Sequence, residues 1–179
     1  MKRTLVALMQ DHPGVLNRVV SLIRRRNFNI DSLTVGHSET PGISRLTLVV
    51  DAAGVEQIIK QLYRLIEVLK VSDVTEDAIV EREIALIKVH APRATRTELI
   101  ALVGIYNARI VDVGASTMIV EITAFPSKVE QFVEIMRPFG IKELLRTGRI
   151  AMVRGPQMQR QEQDASDVAR AHAELAVAG

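Results

Sequence analysis

The chain contains the same pattern twice, and that constrains its fold more than any single motif does. In the first pass RTLVALM reads as a strand, GVLNRVVSLIRRR as a helix, NIDSLTVG and SRLTLVVD as strands, VEQIIKQLYRLI as a helix and VLKVSDVT as a strand. In the second, REIALIKVH is a strand, TRTELIALVGIYN a helix, RIVDVG and TMIVEITAF strands, SKVEQFVEIMRPF a helix and IKELLRTGRIAMV a last strand region. NFNIDSL, at positions 27–33, lies over NARIVDV, at positions 107–113, and VEQII lies over VEQFV after a shorter central hairpin.

The helices rest on periodicity. Val15, Leu16, Val19, Val20, Leu22 and Ile23 form one apolar face opposite Asn17, Arg18 and Ser21, and Val55, Ile58, Ile59, Leu62 and Ile66 repeat the pattern. Two βαββαβ units of this kind each give a four-stranded antiparallel sheet with both helices on one face, so the expected fold is α+β, two tandem ferredoxin-like modules. The expected division is residues 1–77 and 78–154, with the boundary inside SDVTEDAIVER, and a Gln- and Ala-rich tail at 155–179 that lacks a wide apolar face and is expected to be loosely ordered. LVALM, LTLVV, IALIKV and MIVEIT are apolar at nearly consecutive positions, where a strand wet on one side would alternate. Both sheet faces are therefore expected to be covered, by the other module, a second copy or another protein, and a homodimer at least is predicted.

Composition removes several function classes. The 179 residues are 47% hydrophobic and 25% charged, enough for a real core. With no Cys there is no disulfide framework, thiolate nucleophile or Cys-based metal site, a usage that fits a reducing, cytoplasmic compartment. MKRTLVALMQD is too short in its apolar run, and too soon broken by Gln10 and Asp11, to read as a signal peptide. No stretch approaches the roughly 20 apolar residues of a membrane helix. Net charge is only +2, aromatic residues are 3%, and Arg24, Arg25 and Arg26 fall where cations complement a helix C-terminus, so no nucleic-acid partner is expected. Catalytic motifs of the G-x-S-x-G, P-loop and G-x-G-x-x-G kinds are absent, as is the glycine-rich phosphate loop that HAPRATR would need. His12, His37, His90 and His172 are scattered without metal-ligand spacing, and no metal is assigned.

The candidate site is the loop Gln10, Asp11, His12, Pro13, Gly14 between the first strand and first helix. Gly14 lets a ligand approach the backbone, and N–H groups at a helix start favour a carboxylate. Asp11 can cap the helix or accept a hydrogen bond from an ammonium group. The pair suits the two charged ends of an amino acid, with Val15, Leu16 and Ile30 as apolar surface for its side chain. An ordinary Pro-Gly turn capped by Asp accounts for the same residues without a ligand.

DHPGVLNRVVSLIRRRNFNIDSLTVG resembles the opening of the ACT domain, a module that binds amino-acid effectors. NFNIDSLTVG followed by Ser44, Arg45 and Leu46, and the Val-Glu-Arg-Glu segment Val80 to Glu83, resemble more closely the small regulatory subunits of acetolactate synthase, over residues 2 to 153. The resemblance implies a non-catalytic chain that activates a thiamine-diphosphate large subunit and confers feedback inhibition by a branched-chain amino acid, usually valine. Thiamine diphosphate, Mg and FAD would belong to that catalytic partner, and this chain would hold no cofactor. By position the effector would contact Asp11, His12, Pro13, Gly14, Val15 and Leu16, with Asn29 and Ile30 supplied across a dimer interface. The second module lacks the loop glycine and carries Arg109 where Asn29 stands, which leaves one effector site per pair of modules, in the first. The alternative is a free-standing ACT-type sensor acting on a different enzyme. A ligand-responsive transcription factor is the remaining rival, and the chain shows no segment for a DNA-reading headpiece.

Overall fold

The computed structural model describes residues 2–25, 28–51 and 54–155; from residue 156 the tail lies outside them. The first half runs β1 (Lys2–Gln10), α1 (Val15–Arg25), β2 (Ile30–His37), β3 (Ile43–Asp51), α2 (Val55–Leu62) and β4 (Val68–Asp73). The second runs β5 (Ile79–His90), α3 (Arg96–Ile105), β6 (Arg109–Val113), β7 (Thr117–Ala124), α4 (Pro126–Met136) and β8 (Ile141–Arg146), followed by β9 (Ile150–Val153). The sheet orders are β2-β3-β1-β4 and β6-β7-β5-β8, both antiparallel and both the order of a ferredoxin-like module. The internal repeat extends to the irregularities: register shifts at Leu8/Met9 and Ile30/Ser32 recur at the matching places of the second half, Lys88/Val89 and Ile110/Asp112.

In each unit the alternation of the strands puts one set of side chains under the helices. Leu5, Ala7 and Met9 of β1 and Leu46, Leu48 and Val50 of β3 pack with Val15, Val19 and Ile23 of α1 and Ile58 and Leu62 of α2. Ala85, Ile87 and Val89 of β5 meet Leu99 and Val103 of α3 and Val129, Phe132 and Val133 of α4 in the second core. By contacts the chain divides into one unit up to Val80 that also takes the residues from Ala151, and a second unit of Glu81–Ile150.

The opposite faces differ. In the first sheet Thr4, Val6, Thr47 and Val49 alternate away from the helices and are nonetheless buried. Val6 packs there with Val74 and Ala151, flanked by Ile79 and Val153. Part of the expected cover is thus the chain's own last strand. In the second sheet the face away from the helices keeps Leu145 and Ile84 at 62% and 38% exposed.

Three boundaries depart from the sequence expectation, each for a visible reason. The second helix stops at Leu62 rather than Ile66, because the Arg64 and Leu65 N–H groups bond three residues back and the Tyr63 hydroxyl ties to the Val71 backbone. The polar junction is shorter than expected, since β5 already begins at Ile79. The last strand region splits in two, β8 and β9 both pairing with β5 in a five-stranded sheet, and β9 also packs on Val6.

The Val-Glu-Arg-Glu segment is accounted for by ion pairs. Glu83 is buried and takes a two-point contact from Arg146, at 2.8 and 2.9 Å, while Arg146 also reaches Glu130. These bonds, Glu83 first, push the guanidinium further into its basic range. Glu81 pairs with Arg149 at 3.2 Å. Arg146→Met strands the Glu83 carboxylate and should cost about 3 kcal/mol in a denaturant titration, most of it regained when Glu83→Met is added.

Asp73 works the other way in pH. Burial alone would raise its value, but the Thr75 hydroxyl and amide and the Arg3 guanidinium hold it below the ordinary carboxylate range. Its stabilisation is therefore present above the unfolded value, about 3.9, and drains as pH falls through the lower folded one. Asp73→Asn should lower Tm at neutral pH and flatten the acid limb of a Tm-against-pH curve; an unchanged limb would refute this assignment.

Candidate effector-binding site

The first unit's loop is pinned at its base by the backbone. The Gln10 N–H donates to the Glu67 carbonyl at 2.9 Å, and the Asp11 N–H donates to the Gly42 carbonyl in the β2–β3 turn at 2.8 Å. Beyond these ties Asp11, His12, Pro13 and Gly14 are all exposed. The first helical bond runs from Arg18 N–H to Gly14 carbonyl, so the N–H groups of Leu16 and Asn17 precede the helix ladder and are offered at its mouth. Gly14 sits at φ +94°, and a Cβ placed on it meets nothing within 4 Å. Its glycine is required by the backbone conformation, and the space beside it is open.

Two side-chain pairs flank the loop. The Asp11 carboxylate accepts from His37 Nδ1 at 3.0 Å, linking the loop to the end of β2. Arg18, on the first turn of α1, pairs with the buried carboxylate of Glu67. His12 bonds locally, its Nε2 at 3.1 Å from the Gln10 side-chain oxygen. Among the described residues no group of three or more acidic or His side chains could hold a metal ion.

Five of the eight predicted residues, Asp11 to Gly14 and Leu16, lie exposed at this loop, and three do not. Val15 is buried under the sheet, while Leu16 is 39% exposed beside the loop. Asn29 is exposed and Ile30 half-buried, but they stand at the other end of the sheet: Ile30 is opposite Val50, whereas His37 is opposite Ser44 and Gln10 opposite Ile43. The intervening run of β2 spans about 23 Å at strand rise. Within one chain no small molecule touches both groups.

The second unit's equivalent loop is closed by its own side chain. Arg96, the counterpart of Leu16 in the repeat, donates to the Ala91, Gly114 and Ala115 carbonyls at 3.2, 2.7 and 2.8 Å, stitching the β5–α3 loop to the β6–β7 turn. Arg109, the counterpart of Asn29, is paired with Glu121. The missing glycine and Arg109 are visible in the sequence, but the role of Arg96 is not, since periodicity reads it only as a helix-start cation. His37 likewise reads as a scattered histidine, because its proximity to Asp11 exists only through the β2–β3 hairpin.

Comparison with known proteins follows the same division. The family described as "AHAS small subunit-like ACT domain" matches residues 5–70, and that described as "Small subunit of acetolactate synthase" matches residues 82–155. A relative from Archaeoglobus fulgidus, named "Probable acetolactate synthase small subunit", is 54% identical over 157 residues, 87% of this chain and 98% of its own. The acetolactate synthase small subunit of Bacillus subtilis is 45% identical over 162 residues, 89% and 94% of the two chains. The crystal structure of the acetolactate synthase small subunit from Thermotoga maritima superposes with a TM-score of 0.80 at 43% identity, covering 87% of this chain and 99% of that one.

Because Gly14 is constrained by conformation and not by crowding, Gly14→Ala should destabilise by about 1 kcal/mol, and Gly14→Asn by less, since Asn tolerates positive φ. Denaturant midpoints of the two variants check this, and a loss of several kcal/mol for Ala would point to a clash instead.

Proposed function

The chain belongs to the acetolactate synthase small-subunit family, and from that premise we propose that it is the regulatory subunit of the complex. It carries no catalytic group of its own. It binds the catalytic large subunit, which holds the thiamine diphosphate, Mg and FAD, raises its activity, and confers feedback inhibition by a branched-chain amino acid, valine foremost. The complex works in the cytoplasm; among the described residues no helix is long and apolar enough to cross a membrane.

The observation that carries this reading is the contrast between the two loops. In the first unit the helix start is open, with a glycine, free space and a carboxylate within reach, which suits an α-carboxylate on the N–H groups and an ammonium on Asp11. In the second unit the same place is filled by Arg96. An open helix start in the first unit, set against the filled one in the second, supports sensing.

Asn29 enters through a second copy. β2 is an edge strand of its sheet, and two edge strands related by a two-fold axis pair antiparallel. Such a pair lays the Asn29 end of one copy beside the His37 and Asp11 end of the other, which removes the separation of about 23 Å found within one chain. The Asn29 amide then offers both donor and acceptor to the ligand.

This arrangement has a signature that a single-chain site lacks. Gly14→Val and Asn29→Ala should each abolish valine binding in calorimetry, while refolding the two variants together restores part of it, since a mixed dimer holds one intact site. Mixed dimers that bind nothing would refute the shared site. A free-standing sensor would bind valine yet fail to co-purify with the large subunit.

A further inference from the structure

We propose that β9, latched to the effector unit by Arg45, is the element through which a ligand at the Asp11–Gly14 loop acts on the second unit; this rests on the effector reading above. Arg45 lies on β3 among residues that face away from the helices. Its Nη2 donates to the Ala151 carbonyl at 2.9 Å, across 106 residues of chain. Gly36, directly opposite on β2, presents no side chain on that face, and Leu8 is opposite on β1.

The position of Arg45 in the ladder makes the connection short. It is one residue from Ser44, which is opposite His37, and two from Ile43, which is opposite Gln10 at the root of the loop. A shift of the loop or of the His37–Asp11 pair therefore reaches Arg45 through two rungs of continuous sheet. On the other side, Ala151 is buried against Val6 and Val74, and the strand is held again at its far end, where the Arg154 N–H donates to the Ala78 carbonyl at 2.7 Å and its guanidinium to the Ile79 carbonyl at 3.2 Å. The chain passes into the second unit after Val80 and returns at Ala151, so both crossings adjoin these anchors.

A guanidinium on a backbone carbonyl is directional and charge-assisted, made or broken as one contact. A ligand that favours one position of β3 then biases whether Ala151 is gripped, and with it the path of Ile150 into the second unit. Arg45 is in this scheme a positioning residue: it touches neither the effector nor any reacting group.

The test uses the full-length chain with its catalytic large subunit and two variants, Arg45→Met, which keeps bulk and removes the donors, and Arg45→Lys, which keeps a charged donor. Valine binding is read by calorimetry on the chain, activation by turnover without valine, and inhibition as the ratio of turnover without and with saturating valine. Arg45→Met should bind valine and activate like the wild type while that ratio falls about fivefold or more, and Arg45→Lys should recover part of it. Amide exchange at Met152 and Val153 should rise in Arg45→Met and be insensitive to valine there. Full inhibition in Arg45→Met overturns the latch, as does a parallel loss of binding and inhibition, which would make Arg45 only a support of the site. A wild-type chain that binds no valine refutes the effector reading and the latch with it.

Discussion

A four-stranded sheet that carries both helices on one side leaves its other side to water unless something else lies over it. That constraint governs what each half of the chain does with nearly the same plan. In the first unit Thr4, Val6, Thr47 and Val49 of the two central strands are all buried on the face away from the helices. The cover over Val6 comes from Val74, Ala151, Ile79 and Val153, residues on either side of the junction between units. The second unit solves the same problem less completely, with Leu145 and Ile84 exposed between ion pairs such as Lys88–Glu143.

The duplication makes the chemical divergence easy to locate. Core positions, bulges and backbone ties recur: Gln10 N–H to Glu67 carbonyl has its counterpart in His90 N–H to Gly140 carbonyl, and Asp11 to Gly42 in Ala91 to Ser116. What changes is the mouth of the first helix. One copy keeps a positive-φ glycine and an open helix start, while the other replaces Leu16 by an arginine whose guanidinium satisfies three carbonyls. The same scaffold is open at this helix start in one half and stitched shut in the other.

Much of this is legible in the sequence because it is local. Helix faces follow from Val15, Val19 and Ile23, the strand order from the repeated grammar, and the loop from Asp11 to Gly14 from its own punctuation. The rest depends on contacts between residues far apart in the chain. IKELLRTGRIAMV looks like one strand, and nothing in its pattern says that it breaks in two, or that Ala151 packs on Val6 while its strand still pairs with β5. Arg45 in an apolar strand reads as a surface charge until the Ala151 carbonyl is found within its reach. Ile66 fits a helical period and is nonetheless outside the helix, because Tyr63 prefers the backbone of Val71.

The return of the last strand to the first unit also sets an order of assembly. The second unit is an unbroken stretch, Glu81–Ile150, whereas the first draws on both sides of it. During synthesis the amino-terminal half emerges first but cannot bury Val6 and Val74 fully until residue 151 has left the ribosome. The half that appears first is completed last, and until then Val6 and Val74 lack the cover of Ala151.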